Sequence, residues 1–173
     1  MKPQFEAYLD IETTGLSPYF NVITVIGIFR CNGNREEFIQ LVGEDVTRDN
    51  LLYALCDVRT IYTYNGARFD LRFIRDALDI DLSENYEHID LMFHCWKQNL
   101  YGGFKAVELQ LGIHRDLQGI SGYDAVLLWR NYKRYDDHDA LDMLLKYNKE
   151  DVVNLRVLRD KLQSQSGWLC KQR

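Results

Sequence analysis

The stretch Tyr8-Leu9-Asp10-Ile11-Glu12-Thr13-Thr14-Gly15 decides how this chain reads. Tyr8, Leu9 and Ile11 belong to an apolar strand beginning near Phe5. Successive strand side chains point to opposite faces, so Asp10 and Glu12 stand on the same one. Two carboxylates side by side in a sheet interior repel each other and lose hydration, and a divalent cation is the economical compensation. An edge strand with a solvated acidic face would need none, and this stretch alone is compatible with both.

Outward from this strand, Thr14-Gly15-Leu16-Ser17-Pro18 reads as a turn and Val22-Ile23-Thr24-Val25-Ile26 as a β-branched strand. Asn32-Gly33-Asn34 makes a second turn before a strand from Glu36 to Val42, so the chain opens with a three-stranded antiparallel meander. Leu51, Leu52 and Leu55 have helical spacing, and Arg59 to Tyr64 returns to strand character until Asn65-Gly66 breaks it. A helix is expected from Asp70 through Leu78 and a short fifth strand from His88 to Leu91. Helical spacing then governs Phe104 to Leu111, stopped by Gly112, as well as Tyr123 to Tyr135 and Asp139 to Gln163. Strands first and helices later predict an α/β layer fold, a mixed five-stranded sheet flanked by helices. There is no internal repeat, low-complexity tract or linker, and Pro is limited to Pro3 and Pro18. Residues 1–173 are therefore expected to form a single domain, and 46% hydrophobic with 13% aromatic residues is ordinary for a globular core.

No apolar run approaches membrane-spanning length, the longest being Val22 to Phe29 interrupted by Thr24, and the N-terminus has no signal-peptide pattern. A soluble, cytoplasmic protein is expected, with no membrane partner. Cys31, Cys56, Cys95 and Cys170 are scattered without a Cys-x-x-Cys pair, which argues against a zinc site and against a disulfide framework. A formal net charge of -5 means that no global positive field draws the protein to nucleic acid. It does not exclude a nuclease, because carboxylates committed to cations count as negative yet become locally neutral or positive once the ions bind.

Further carboxylates lie at informative places. Asp70 ends Asn65-Gly66-Ala67-Arg68-Phe69-Asp70, at a strand-to-helix junction of the kind where α/β sheets place functional groups, although a helix N-cap is an equally good use of it. Tyr147 and Asp151, in Tyr147-Asn148-Lys149-Glu150-Asp151, are four residues apart and share a helix face beside the apolar Val152, Val153 and Leu155. An Asp in that position is unusual unless it reaches a partner, although the reading as an exposed carboxylate, which suits Glu150, stays open for it too.

Taken in order, Asp10-Ile11-Glu12, the Asn65 to Asp70 segment and the Tyr147 to Asp151 segment resemble the three motifs of the DEDD exonuclease superfamily in its tyrosine-containing branch. Within it the chain is similar to the stand-alone YprB-like group of ribonuclease H-like nucleases, and its first two motifs also resemble those of B-family DNA polymerase proofreading domains. The resemblance runs from about Phe5 to Leu158. It implies a ribonuclease H-like three-layer fold and a metal-dependent 3′-5′ exonuclease acting on the 3′ end of DNA or RNA. It also implies that Asp10, Glu12, Asp70 and Asp151 hold two divalent cations. Hard oxygen ligands suit Mg²⁺ or Mn²⁺, and ions roughly 3.5 to 4 Å apart clamp the attacking and leaving oxygens of a phosphodiester. By the same resemblance Asp10 bridges the ions, Glu12 and Asp151 favour the ion that activates water, and Asp70 acts on the other through waters. Tyr147 orients the attacking water, as a phenol with an ordinary pKa of about 10 is protonated at neutral pH. Thr13, Thr14, Gly15 and Leu16 match the segment that contacts the terminal nucleotide, and Asn65 and Arg68 complete the expected substrate contacts. Leu16 could wedge against a terminal base or pack beneath its own turn.

Two other features are discounted. Trp129-Arg130-Asn131-Tyr132-Lys133-Arg134-Tyr135 mixes bases with aromatics, but an amphipathic helix burying Leu128, Trp129 and Tyr132 explains it better than a nucleic-acid surface. His88-Ile89-Asp90 followed by His94-Cys95 fits no zinc spacing. Asp90 either caps the helix that begins at Leu91 or supports the metal site from behind. The competing functions are an endonuclease with the same metal site and a non-catalytic nucleic-acid-binding module. The Tyr-x-x-x-Asp pattern and the intact carboxylate set favour the exonuclease.

Overall fold

The computed structural model describes residues 4–33 and 35–166, so Cys170 and Asn34 of the second expected turn lie outside the described residues. Strands β1 (Phe5–Thr13), β2 (Ile23–Cys31) and β3 (Glu36–Val42) form the expected antiparallel meander. β4 (Val58–Thr63) then adds to the other side of β1 in parallel, and β5 (Glu87–Asp90) adds to β4, giving the sheet order β3-β2-β1-β4-β5. β2 is longer than the β-branched run suggested. Val22 is 60% exposed and stays outside, while Gly27 to Cys31 continue the strand because they pair with β3 and β1.

Alternation along β1 sorts the molecule into three layers. Ala7, Leu9 and Ile11 face a core completed by Leu51 and Leu55, next to α1 (Arg48–Ala54), by Leu71, Phe73 and Ile74 of α2 (Asp70–Leu78), and by Leu82 of the one-turn α3 (Leu82–Asn85). Tyr8 faces the opposite core, with Tyr62 stacked on it at 5.0 Å and Leu91 and Cys95 of α4 (Leu91–Lys97) nearby. The same side holds Val107 of α5 (Phe104–Leu111) and Ala125 of α6 (Gly122–Tyr135). It also holds α7 (His138–Ser166), whose Leu144, Tyr147, Asn148, Asp151, Val152, Leu155, Leu158 and Leu162 form one buried stripe at helical spacing. Fully burying each such leucine contributes about 1.5–3 kcal/mol, which fixes the rotation of α7 against β1 and β2. That rotation carries Tyr147, Asn148 and Asp151 onto the Asp10–Glu12 face of β1.

The helix ends follow their local chemistry. Gly112 stops α5 in the left-handed region at φ 61°, and Ser121 with Asp124 closes a capping box at the start of α6. Leu128, Trp129 and Tyr132 are half-buried on α6 while Arg130, Lys133 and Arg134 are exposed, so that helix is amphipathic as expected. Cys31 and Cys95 are buried and Cys56 is exposed, all as free thiols. Among the described residues no helix is long and apolar enough to cross a membrane.

Candidate metal centre

β1 pairs with β4 only from Phe5 to Tyr8, so beyond Tyr8 the two parallel strands part. A slot opens at their carboxyl ends, where the connections leave the sheet in opposite directions; this is the usual ligand position in open α/β sheets. Ile11 N–H faces this slot and donates to Asp70 Oδ1 at 3.1 Å. Asp70 is the first residue of α2, whose N-cap is Phe69, so its carboxylate is aimed at β1 and is not a cap. On the opposite side a β-bulge between Glu12 and Thr13 shifts the register against β2 as the strand leaves the site.

Asp10, Glu12 and Asp151 each bring one carboxylate oxygen to within 4.8 Å of the other two. Glu12 and Asp151 are buried, and Asp10 is partly open. Loss of hydration, then the charges of Asp151, Asp70 and Glu12, push the Asp10 carboxyl well above its ordinary range. Glu12 is raised by burial and by Asp151 and Asp70, against the opposing Lys105. Burial raises Asp151 to about 6 despite the neighbouring Arg115, and Asp70 to about 7 despite its backbone hydrogen bonds. Glu12 Oε1 is buried without a hydrogen-bond partner, an arrangement that costs free energy unless a cation or a proton supplies the missing contact. Three converging hard oxygen donors suit a divalent ion of the Mg²⁺ or Mn²⁺ type.

Asp10, Tyr147 and Asp151 line a cleft of about 500 Å³ whose wall also carries Tyr64, Asn65 and Lys105. Tyr147 is buried, and burial together with the Asp151, Glu12 and Asp10 charges raises its phenol, which therefore stays a hydrogen-bond donor. Asn65 adopts φ 61°, and its N–H donates to Asp90 Oδ1 at 2.8 Å while Ala67 N–H donates to Asp90 Oδ2 at 3.1 Å. Asp90 Oδ1 also accepts from Met92 N–H as the cap of α4. Asp90 therefore caps α4, the first of its two alternatives, and also fastens the loop that leads to Asp70. Arg68 is exposed over the rings of Phe93 and Trp96, at 5.8 and 5.7 Å from their centroids.

The segment after Glu12 is tied by hydrogen bonds. Thr13 Oγ1 donates to the Gly15 carbonyl at 2.6 Å, Thr14 Oγ1 accepts from Val22 N–H at 3.0 Å, and Asn21 N–H donates to the Ser17 carbonyl at 2.9 Å. A Cβ on Gly15 would lie 2.5 Å from Asn21 Oδ1, so glycine lets the turn close. Leu16 is 85% exposed on this turn, which removes the reading in which it packs beneath. Tyr19 and Phe20 project from the same turn.

Several residues of the site carried no signal in the sequence. Asn148, fully buried, donates from Nδ2 to Asp10 Oδ2 at 3.2 Å and to the Asp10 carbonyl at 3.3 Å. Gln40 of β3 donates to Asn148 Oδ1 at 2.9 Å, which fixes the amide with its NH₂ towards Asp10. Gly27 of β2 lies opposite Asp10, and its missing Cβ leaves the room that Asn148 fills. Arg115 donates from Nη2 to Asp151 Oδ1 at 2.5 Å and grips Glu108 with Nε and Nη2 at 2.9 and 2.8 Å. Glu108 Oε1 accepts further from Asn154 at 2.7 Å. Glu150, expected to be exposed, is half-buried and accepts from Asp116 and Leu117 N–H, holding the Arg115 loop down. A long-range polar contact leaves no periodic trace; a Gly inside the β2 strand was the single available cue.

Comparison with known proteins agrees with this fold. The chain is 30% identical over 165 residues to YprB of Bacillus subtilis (strain 168), matching 86% of this chain and spanning 39% of that relative. Its fold resembles a family B DNA polymerase from Pyrobaculum calidifontis, with a TM-score of 0.72 at 16% identity over 92% of this chain and 24% of the polymerase. It also resembles Brucella melitensis NrnC with bound Mg²⁺, with a TM-score of 0.63 at 18% identity over 96% of this chain and 76% of NrnC. NrnC bound to pGG superimposes similarly, with a TM-score of 0.61 at 19% identity over 94% of this chain and 74% of NrnC. The RNase_H_2 family model matches residues 7–163, and the chain belongs to the RNase_H superfamily.

Proposed function

We propose that this chain is a metal-dependent 3′-5′ exonuclease that hydrolyses phosphodiester bonds at the 3′ end of DNA or RNA, acting as one catalytic domain in the cytoplasm. The observation that carries this reading is the convergence of Asp10, Glu12 and Asp151 beside a buried, unpartnered Glu12 oxygen at the edge of an open cleft. The Mg²⁺ and pGG held by NrnC point to the same ligand classes. Asp10, Glu12, Asp70 and Asp151 would hold two ions of Mg²⁺ or Mn²⁺, which when bound supply the charge that activates a water and steadies the leaving oxygen.

The protein's own groups do the positioning. Asp10 feels the charges of both Asp151 and Asp70, which supports its reading as the bridging ligand, and Asn148 donates to its Oδ2. Tyr147, a neutral phenol in the cleft wall, donates a hydrogen bond to the attacking water. Leu16, with Tyr19 and Phe20 on a pinned turn, offers apolar surface to the terminal bases, while the Thr13, Thr14 and Gly15 backbone sets the turn against the sugar. Asn65 in the cleft wall and the exposed Arg68 on the same loop are the remaining substrate contacts.

The test is incubation with 5′-labelled single-stranded DNA and RNA, with open or blocked 3′ ends, in Mg²⁺ and in Mn²⁺. A ladder shortening only from open 3′ ends is expected, with turnover nearly abolished in Asp151→Ala and reduced but measurable in Tyr147→Phe. Internal cuts on blocked strands would mean the endonuclease. Binding without cleavage would mean the non-catalytic module.

A further inference from the structure

Three of the four carboxylates share a pattern: one oxygen is already held by a donor of the protein. Asn148 holds Asp10 Oδ2, Ile11 N–H holds Asp70 Oδ1, and Arg115 holds Asp151 Oδ1. On each aspartate the other oxygen is the less encumbered one for a cation. Two of the donors are neutral amides, which an incoming ion can displace at the cost of an ordinary hydrogen bond. Arg115 is different. Its guanidinium side chain is 9% exposed and forks onto Glu108, which Asn154 holds in turn, so the cation can neither swing away nor lose its charge.

We propose that Arg115 is a positioning residue that keeps Asp151 a one-oxygen ligand and so biases the centre towards small octahedral cations and against Ca²⁺. The inference rests on the metal-centre reading above. Mg²⁺ demands near-octahedral geometry from a few single oxygens and retained waters. Ca²⁺ takes 6–8 oxygens and commonly draws both from one carboxylate. The Arg115 guanidinium on Asp151 Oδ1 repels a second cation there, which disfavours the bidentate contact that would serve Ca²⁺ best yet leaves Mg²⁺ the single oxygen it needs.

The experiment titrates Mg²⁺, Mn²⁺ and Ca²⁺ separately into the EDTA-stripped 173-residue chain, reading affinity by calorimetry and by thermal shift, without any substrate. It compares wild type, Arg115→Lys, and Glu108→Gln/Arg115→Met, in which the buried Glu108 carboxylate is neutralised together with its arginine. In the double variant the ratio of Ca²⁺ to Mg²⁺ affinity should rise by about tenfold, the scale on which groups behind a metal ligand act. Arg115→Lys, whose ammonium cannot fork onto Glu108 while reaching Asp151, should rise partway. A ratio within about twofold of wild type in the folded variants overturns the proposal, because a merely structural arginine would weaken all three ions alike. If the double variant does not fold, the Arg115→Lys ratio decides alone. Wild type that takes up none of the ions overturns the metal-centre reading as well, which separates that failure from an unchanged ratio.

Discussion

Gly27→Ala is the most revealing single methyl group that could be added to this protein. A Cβ at this position would sit 2.2 Å from Asn148 Oδ1, 2.9 Å from its Cγ and 3.0 Å from its Nδ2. Ordinary contact begins near 3.5 Å, so the amide must retreat by roughly 1 Å. It has nowhere to go: Asn148 is fully buried and joins Gln40 to Asp10 across three elements. Overpacking costs about 1–3 kcal/mol and the disturbed buried hydrogen bonds about 1 kcal/mol more, so about 2–4 kcal/mol of stability should be lost. For a chain of this size that corresponds to a fall in Tm of about 5–15 °C. Urea denaturation and calorimetry measure it in wild type, Gly27→Ala, Asn148→Ala and the double variant. Asn148→Ala removes the obstruction, so adding Gly27→Ala to it should cost less than about 0.5 kcal/mol. Equal costs in both backgrounds would refute the reasoning.

Two further predictions follow from the electrostatics and from the loop. Asp70 and Asp151 are raised from an ordinary 3.8 to about 7 and about 6, so the folded, metal-free protein retains protons that the unfolded chain has released. Its stability should fall as pH rises from about 4 to about 7, and Mg²⁺, which binds the ionised carboxylates, should restore more stability at the upper end. Melting curves in EDTA and in Mg²⁺ across this window check both signs, and a steady gain in EDTA would contradict them. Asp90→Ala leaves the N–H groups of Asn65, Ala67 and Met92 without their acceptor, at a cost of about 2–4 kcal/mol. Hydrogen exchange should then speed up in the segment from Asn65 to Asp70, and unchanged protection there would show that Asp90 does not hold the loop.

Where apolar spacing carries the information, the sequence alone was enough. The strand from Glu36 to Val42 and the helices from Asp70 to Leu78 and from Phe104 to Leu111 end where expected, because turns, Gly112 and buried stripes mark them. The Asp10–Glu12 pair and the Tyr147–Asp151 pair were legible for the same reason, since strand and helix periods place each pair on one face. β2 beyond Ile26 was missed because Gly27 and Arg30 interrupt its apolar run, although one makes room for Asn148 and the other reaches the Ala54 and Cys56 carbonyls. Arg115 was invisible on different grounds: it meets Asp151 across 36 residues of chain, and only the fold brings the two together.

The central claim is that Asp10, Glu12 and Asp151 hold a divalent cation, and anomalous diffraction from a Mn²⁺-soaked crystal tests it most directly. The account predicts a Mn²⁺ peak in contact with oxygens of all three residues, with Glu12 Oε1 among them, and a second beside Asp10 and Asp70. Well-ordered carboxylates with no anomalous density between them at saturating Mn²⁺ would contradict it.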